Sequence, residues 1–182
     1  MNKKLLSVVA AAFILAGCAS GVTRAPSASA ERVSAPAYSQ FASVSLSMSA
    51  AAKEKALENL KFNPDELLSH VKRALDSRSL ISASGNPQLP RIEVVVKDMR
   101  VRSNFSAIMW GFMAGSDSIE GEIVLTDALG KEIDRFVVST SYALGGIAGG
   151  QDGTRMSWLY EKFAEETVKE LSKQQKSVVS QR

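Results

Sequence analysis

Few side chains in this chain can do covalent or acid–base chemistry, and those few sit far apart. There is one cysteine, Cys18, and one histidine, His70. A hydrolytic triad needs a nucleophile with a base in reach. His70 falls between Ser69 and Val71 inside a helical pattern near Lys72 and Arg73, and reads as a solvated helix residue. One histidine and one thiol also fall short of the three or four ligands of a zinc site. Glu120 and Glu122 are the arrangement to weigh for paired carboxylates. Two apart on a strand they share one face, so they read as the wet side of a hairpin. The glycine-rich LGGIAGGQDGT ahead of the last helix suggests a phosphate cradle. It contains neither G-x-G-x-x-G nor G-x-x-x-x-G-K-[ST], and no lysine follows the glycines, so it reads as a mobile connection. No catalytic residue, metal or soluble cofactor is therefore assigned, and the expectation is a protein that is not an enzyme.

Cys18 is different because of what surrounds it. The chain opens MNKKLLSVVAAAFILAGC, with two lysines, an apolar run over Leu5–Ala16 and small residues up to the thiol. That is the three-part layout of a secretory signal. The run has 12 residues, whereas a helix needs roughly 20 to span a bilayer, so cleavage is expected and not a transmembrane anchor. Leu15-Ala16-Gly17-Cys18 is similar to the lipobox of bacterial lipoproteins at all four positions. The resemblance implies cleavage after Gly17, a diacylglyceryl thioether on Cys18, and acylation of its new amino group. It also implies that alanine at position 19, where aspartate commonly directs inner-membrane retention, favours the outer membrane with the domain facing the periplasm. Several acyl chains at about 0.8 kcal/mol per buried methylene hold such a protein at the membrane almost permanently.

Loss of Lys3 and Lys4 with the signal leaves 20 basic against 19 acidic residues, a formal +1 in place of +3. A balance that even has no clustered charge for displacing counterions from nucleic acid, and nucleic acid is excluded as a partner. With its single cysteine acylated the chain forms no disulfide within itself. Apolar residues at 45% and charged residues at 23% are the proportions of a folded domain.

The elements that would position any site follow from pattern. Residues 1–17 are the signal peptide. Residues 18–40, rich in Ala, Ser and Pro, read as acylated cysteine plus flexible tether, about 25 Å in average span if coiled. One domain over 41–172 and a polar tail over 173–182 complete the chain. In the domain Val44, Leu46 and Met48 alternate as a strand, and Ala50–Leu60 reads as a loose helical turn or two. A helix starts at Asn63-Pro64-Asp65-Glu66 and runs to about Ser77. Asn63 caps it, Glu66 returns a bond to the Asn63 N–H, and Leu67, Leu68, Val71, Ala74 and Leu75 form its apolar face. Ile92, Val94 and Val96 make a central strand. Ile119–Thr126 and Ile133–Tyr142 form a hairpin closed by Asp127–Gly130. A second packing helix from about Thr154 to Leu171 shows Met156, Leu159, Tyr160, Phe163, Thr167, Val168 and Leu171 on one side. The order β-α-β-β-β-α predicts an α+β two-layer sandwich, a roughly four-stranded, mainly antiparallel sheet with two helices on one face.

Between the central strand and the hairpin lies FSAIMWGFMAGS, residues 105–116. Each strand of a membrane-spanning hairpin needs roughly 9–11 residues, so this stretch is too short for one. The hairpin topology brings it to the same end of the domain as the loop that leaves Tyr142. Phe105, Ile108, Met109, Trp110, Phe112 and Met113, with Leu144 and Ile147, then form one apolar two-loop patch. Its possible roles are to close the core, to bind a partner with Trp110 as anchor, or to touch the membrane interface.

Residues 90–171 resemble an uncharacterised family of bacterial lipoproteins classed as domain of unknown function 4410. The resemblance rests on IEGEIVLTDALGKEIDRFVVSTSY, LGGIAGG and FAEETVKEL. It carries no catalytic residue to transfer. Element order is also similar to periplasmic lipoproteins that assist transporters or outer-membrane assembly. The expected function is an outer-membrane-anchored accessory or assembly protein that holds the membrane through acyl chains and binds an envelope protein. The alternative is an envelope ligand-binding protein or enzyme using the carboxylates and the glycine loop.

Overall fold

The computed structural model describes residues 18–24, 39–59, 61–103, 115–143 and 152–179. The expected α+β class is present, with more elements than the pattern announced. The elements are β1 (Cys18–Thr23), β2 (Ser43–Met48), α1 (Ala50–Glu58), α2 (Pro64–Asp76), β3 (Arg91–Arg100), β4 (Asp117–Thr126), β5 (Glu132–Tyr142) and α3 (Asp152–Val179). The strands form one five-stranded sheet in the order β1-β5-β4-β3-β2. β2 and β3 are parallel and the other neighbours antiparallel, so the sheet is mixed. Parallel pairing follows from the connection, since α1, α2 and the loop after them carry the chain back across the sheet before β3 begins.

Three expectations need correction. The sheet has five strands because Cys18–Thr23, read as the start of a tether, pairs with Val137–Tyr142. Alternation is absent from CASGVT, and long-range contacts hold it instead. Ser20 donates to Glu166 (3.1 Å), and Arg24 reaches Asp134 (2.6 Å) and Glu170 (3.0 Å) with its guanidinium 5.0 Å from the Phe136 ring. Ala50–Glu58 is a complete helix capped by Ser49, whose hydroxyl accepts from the Ala52 N–H at 3.1 Å. The last helix continues past Leu171 to Val179, into the segment read as a polar tail. The cap of α2 was legible, as Asn63 accepts from the N–H groups of Asp65 and Glu66 at 3.0 and 3.2 Å. The Asn63 N–H, however, goes to the Tyr160 hydroxyl at 2.8 Å and not to Glu66.

The core lies between one sheet face and α2 and α3. Ile92, Val94 and Val96 of β3, Ile119, Ile123 and Leu125 of β4, and Phe136 and Val138 of β5 are buried. They meet Leu67, Val71 and Leu75 from α2 and Leu159, Phe163 and Val168 from α3. A bulge between Val96 and Asp98 inserts Lys97 and restores inward parity to Met99. At Gly121 an added Cβ would stand 2.6 Å from Cζ of the buried Phe163 ring, so α3 seats on the sheet only because this residue has no side chain. At the hairpin turn Gly130 has φ +83°, and the Asp127 carboxylate accepts the N–H groups of Leu129 and Lys131 at 2.9 Å each. No helix among the described residues is long and apolar enough to cross a membrane.

Two measurements check this packing. Gly121→Ala should destabilise the fold by about 1–3 kcal/mol through overpacking against Phe163, read from urea unfolding, with Phe163→Leu in the same chain recovering part of the loss. Burial, opposed by the Asn63 N–H and reinforced by the Glu66 charge, pushes the Tyr160 hydroxyl up to about 12. The folded state therefore keeps this proton where the unfolded state releases it. The associated stability is full below pH about 10 and is lost as pH rises toward 12, a slope that Tyr160→Phe should remove.

Candidate functional site

The residues expected to form the apolar patch, Phe105, Ile108, Met109, Trp110, Phe112, Met113, Leu144 and Ile147, lie outside the described residues, as does the glycine run 144–150. The flanks of both loops are described. β4 begins at Asp117, β5 ends at Tyr142, and these two residues are paired, so both loops attach at one end of the sheet as the hairpin topology requires. Cys18 pairs with Tyr142 from the other side. The first residue of β1 thus stands at that same end.

Beneath the loop attachments is a buried ionic cluster that sequence reasoning missed. The Asp117 side chain is 0% exposed, and those of Arg102 and Arg155 are 2% and 1% exposed. Asp117 Oδ2 accepts from Arg102 Nη2 at 3.0 Å and Arg155 Nε at 2.9 Å, while its Oδ1 accepts from the Arg102 N–H at 2.6 Å. Backbone carbonyls receive further donors, while the buried Arg102 Nε has no hydrogen-bond partner among the described residues. Arg102 donates to Gly115 (2.8 Å), Tyr142 (3.0 Å) and Ala143 (3.3 Å), and Arg155 donates to the Arg102 carbonyl (3.2 Å). Every one of these partners flanks a loop: Arg102 and Gly115 the first, Tyr142, Ala143 and Arg155 the second. The cluster therefore ties four chain ends to one carboxylate.

The signal for it was present as parity. Asp117 falls in step with Ile119, Gly121 and Ile123, the inward set of β4, and Arg155 lies four residues before Leu159 on the buried side of α3. A charge on an inward position that is fully enclosed must be paired.

The other sequence candidates are separate from this end or from one another. Glu120 is exposed on the sheet face away from the helices, opposite Asp98 and Ser139. Glu122, on the same face, is held by Arg135 at 2.6 Å and Lys97 at 3.7 Å. Glu122 thus forms part of a surface charge network with Arg135 and Lys97. His70 is half-buried, its ring 5.8 Å from that of Tyr160, and burial followed by the Arg73 charge holds its imidazole below the usual histidine range against Glu66 and Glu161. Its surroundings are less wet than a solvated helix position implies. Among the described residues no group of three His, Cys, Asp or Glu could hold a metal ion.

His70 lines a groove of about 760 Å³ between α2 and α3. Ala74, Ala164 and Val168 contribute small apolar surface to it, and Arg73, Arg78, Lys169 and Lys173 contribute positive charge. A smaller one of about 310 Å³ lies on the open sheet face by Ser118, Glu120 and Ser139.

A family model described as a domain of unknown function, DUF4410, matches residues 32–146. Among solved structures, a PelC dodecamer from Paraburkholderia phytofirmans is similar at 12% identity and TM-score 0.44, covering 82% of this chain and 96% of that one. A variant of the same protein in a second crystal form gives 11% identity and TM-score 0.44 over 81% and 97%. Comparison with curated proteins gives no match.

Removing the carboxylate tests the cluster. Asp117→Ala leaves two enclosed guanidiniums facing each other and should cost about 3–5 kcal/mol of stability in urea unfolding. Limited proteolysis should then cut first within 104–114 or 144–151, because the ends of those segments are no longer tied.

Proposed function

The chain belongs to the DUF4410 domain family, and from that membership and the residues ahead of the domain we propose that it is a lipid-anchored, non-enzymatic accessory protein of the bacterial envelope. Cys18 carries the lipid, the signal over residues 1–17 is removed, and the domain faces the periplasm from the outer membrane. The observation that carries this reading is the run Leu15-Ala16-Gly17-Cys18 behind a basic and apolar start.

The pairing of β1 with β5 supports a specific form of anchorage. Because Cys18 opposes Tyr142, a lipid on Cys18 leaves the domain at the end where both loops attach. The anchor then needs no slack of its own. That end meets the bilayer first. A binding role is supported by a groove between the two packing helices.

Replacing the thiol tests the anchor. Cys18→Ser should keep the signal uncleaved at that site, raise the intact mass by the residues 1–17 while losing the acyl groups, and move the protein out of the Sarkosyl-insoluble outer-membrane fraction. A wild-type chain recovered with a free Cys18 thiol and no acyl mass would overturn the proposal.

A further inference from the structure

The groove between α2 and α3 is lined by more cationic than acidic side chains. Along α3 Lys162, Lys169 and Lys173 are each met three residues away by a glutamate. Lys162 pairs with Glu165, Lys169 with Glu166 at 3.2 Å, and Lys173 with Glu170 at 2.9 Å. Opposite them, Arg73 and Arg78 of α2 and its following turn are exposed and make no ion pair with any described residue. Two guanidiniums facing a row of already neutralised lysines give one half of the groove a net positive field. The acidic groove residues, Glu161 and Glu165, stand earlier on α3.

The floor is a second feature. Ala164 and Val168 are 2% and 5% exposed, and Ala74 is half-buried, so the floor is apolar and shallow, where longer side chains would have filled the space between the helices. The lining residues on α3 run from Ser157 to Lys173, about 24 Å of helix at 1.5 Å per residue. A single phosphate or one sugar would occupy a small part of that length. An extended segment of roughly seven residues would fill it, at about 3.3 Å each, with alternate side chains pointing to the floor and to the rim.

We propose that this groove docks an acidic, amphipathic segment of a partner protein, its carboxylates on Arg73 and Arg78 and its apolar side chains on Ala74, Ala164 and Val168. The segment runs with its most acidic end toward Arg78 and Lys173, away from Glu161. The proposal rests on the reading of the protein as a binding accessory, and names the chemistry of what it binds. Each exposed charge contact is weak alone, so affinity comes from several of them combined with apolar burial, and specificity from the requirement for both.

The test uses a random display library of peptides of about 12 residues, long enough to fill the groove, panned against the full chain. Enrichment of peptides alternating Asp or Glu with Leu, Ile, Val or Phe is expected. Their binding should fall at least about tenfold in Arg73→Glu/Arg78→Glu and weaken as salt rises. Ala164→Gln, which occupies the floor and leaves the rim charges in place, should also lower it, with circular dichroism confirming that both variants fold. Enrichment of neutral or basic peptides would overturn the proposal, as would binding unchanged by the arginine substitutions. So would phosphatidylglycerol vesicles binding in an Arg73- and Arg78-dependent way while no acidic peptide is enriched, since that is a headgroup site. The acyl mass on Cys18 is read independently, so loss of the anchor reading and loss of the groove reading are separate results.

Discussion

One carboxylate, Asp117, holds the loop end of this domain together. It accepts from the side chains of Arg102 and Arg155 and from the Arg102 backbone, and the two guanidiniums in turn take up carbonyls of Arg102, Gly115, Tyr142 and Ala143. Enclosed charges are costly unless every donor and acceptor is met. The arrangement is therefore a constraint as much as a contribution, since β4 and α3 must begin and β5 must end where they do for these bonds to form. A domain that needed only stability could have used apolar residues here. Ionic groups instead fix the described residues on either side of 104–114 and 144–151.

The same end receives the chain's beginning. β1 adds an edge strand beside β5, fixed by Arg24 between Asp134 and Glu170 and by Ser20 on Glu166. If Cys18 is acylated, force from the membrane passes into the sheet through backbone pairing, and the domain has a defined membrane end. The helical groove, lined at its far end by Lys173 and Arg78, is then a separate surface on α2 and α3. Anchorage and recognition would be carried by different elements, which allows one to be removed without the other.

Much of the fold was legible because it depends on periodicity. The alternation of Ile119 to Leu125 and the three-and-four spacing of Leu67, Val71 and Leu75 specify a hairpin and a packing helix before any tertiary contact is known. Asn63 was readable as a cap from its neighbours Pro64 and Asp65. β1 was not readable, since CASGVT has no strand pattern and is ordered by partners more than a hundred residues away. α3 outruns its apolar face, continuing past Leu171 to Val179 where the sequence has no apolar period to announce it. The buried cluster was readable only in part. Parity places Asp117 and Arg155 inward, but no local rule names Arg102 as their partner. The groove depends on which helices become neighbours, information that no single segment holds.

Whether the proposed anchor would be rigid or slack depends on the pairing of β1 with β5, and amide hydrogen exchange on the mature protein in its native membrane fraction measures that pairing directly. With β1 paired to β5, alternate amides between Ala19 and Thr23 should exchange at least about tenfold more slowly than an unstructured chain of the same sequence. Exchange of all of them at the unstructured rate would mean that Cys18 sits on a free tether, and the membrane end assigned to the domain would be wrong.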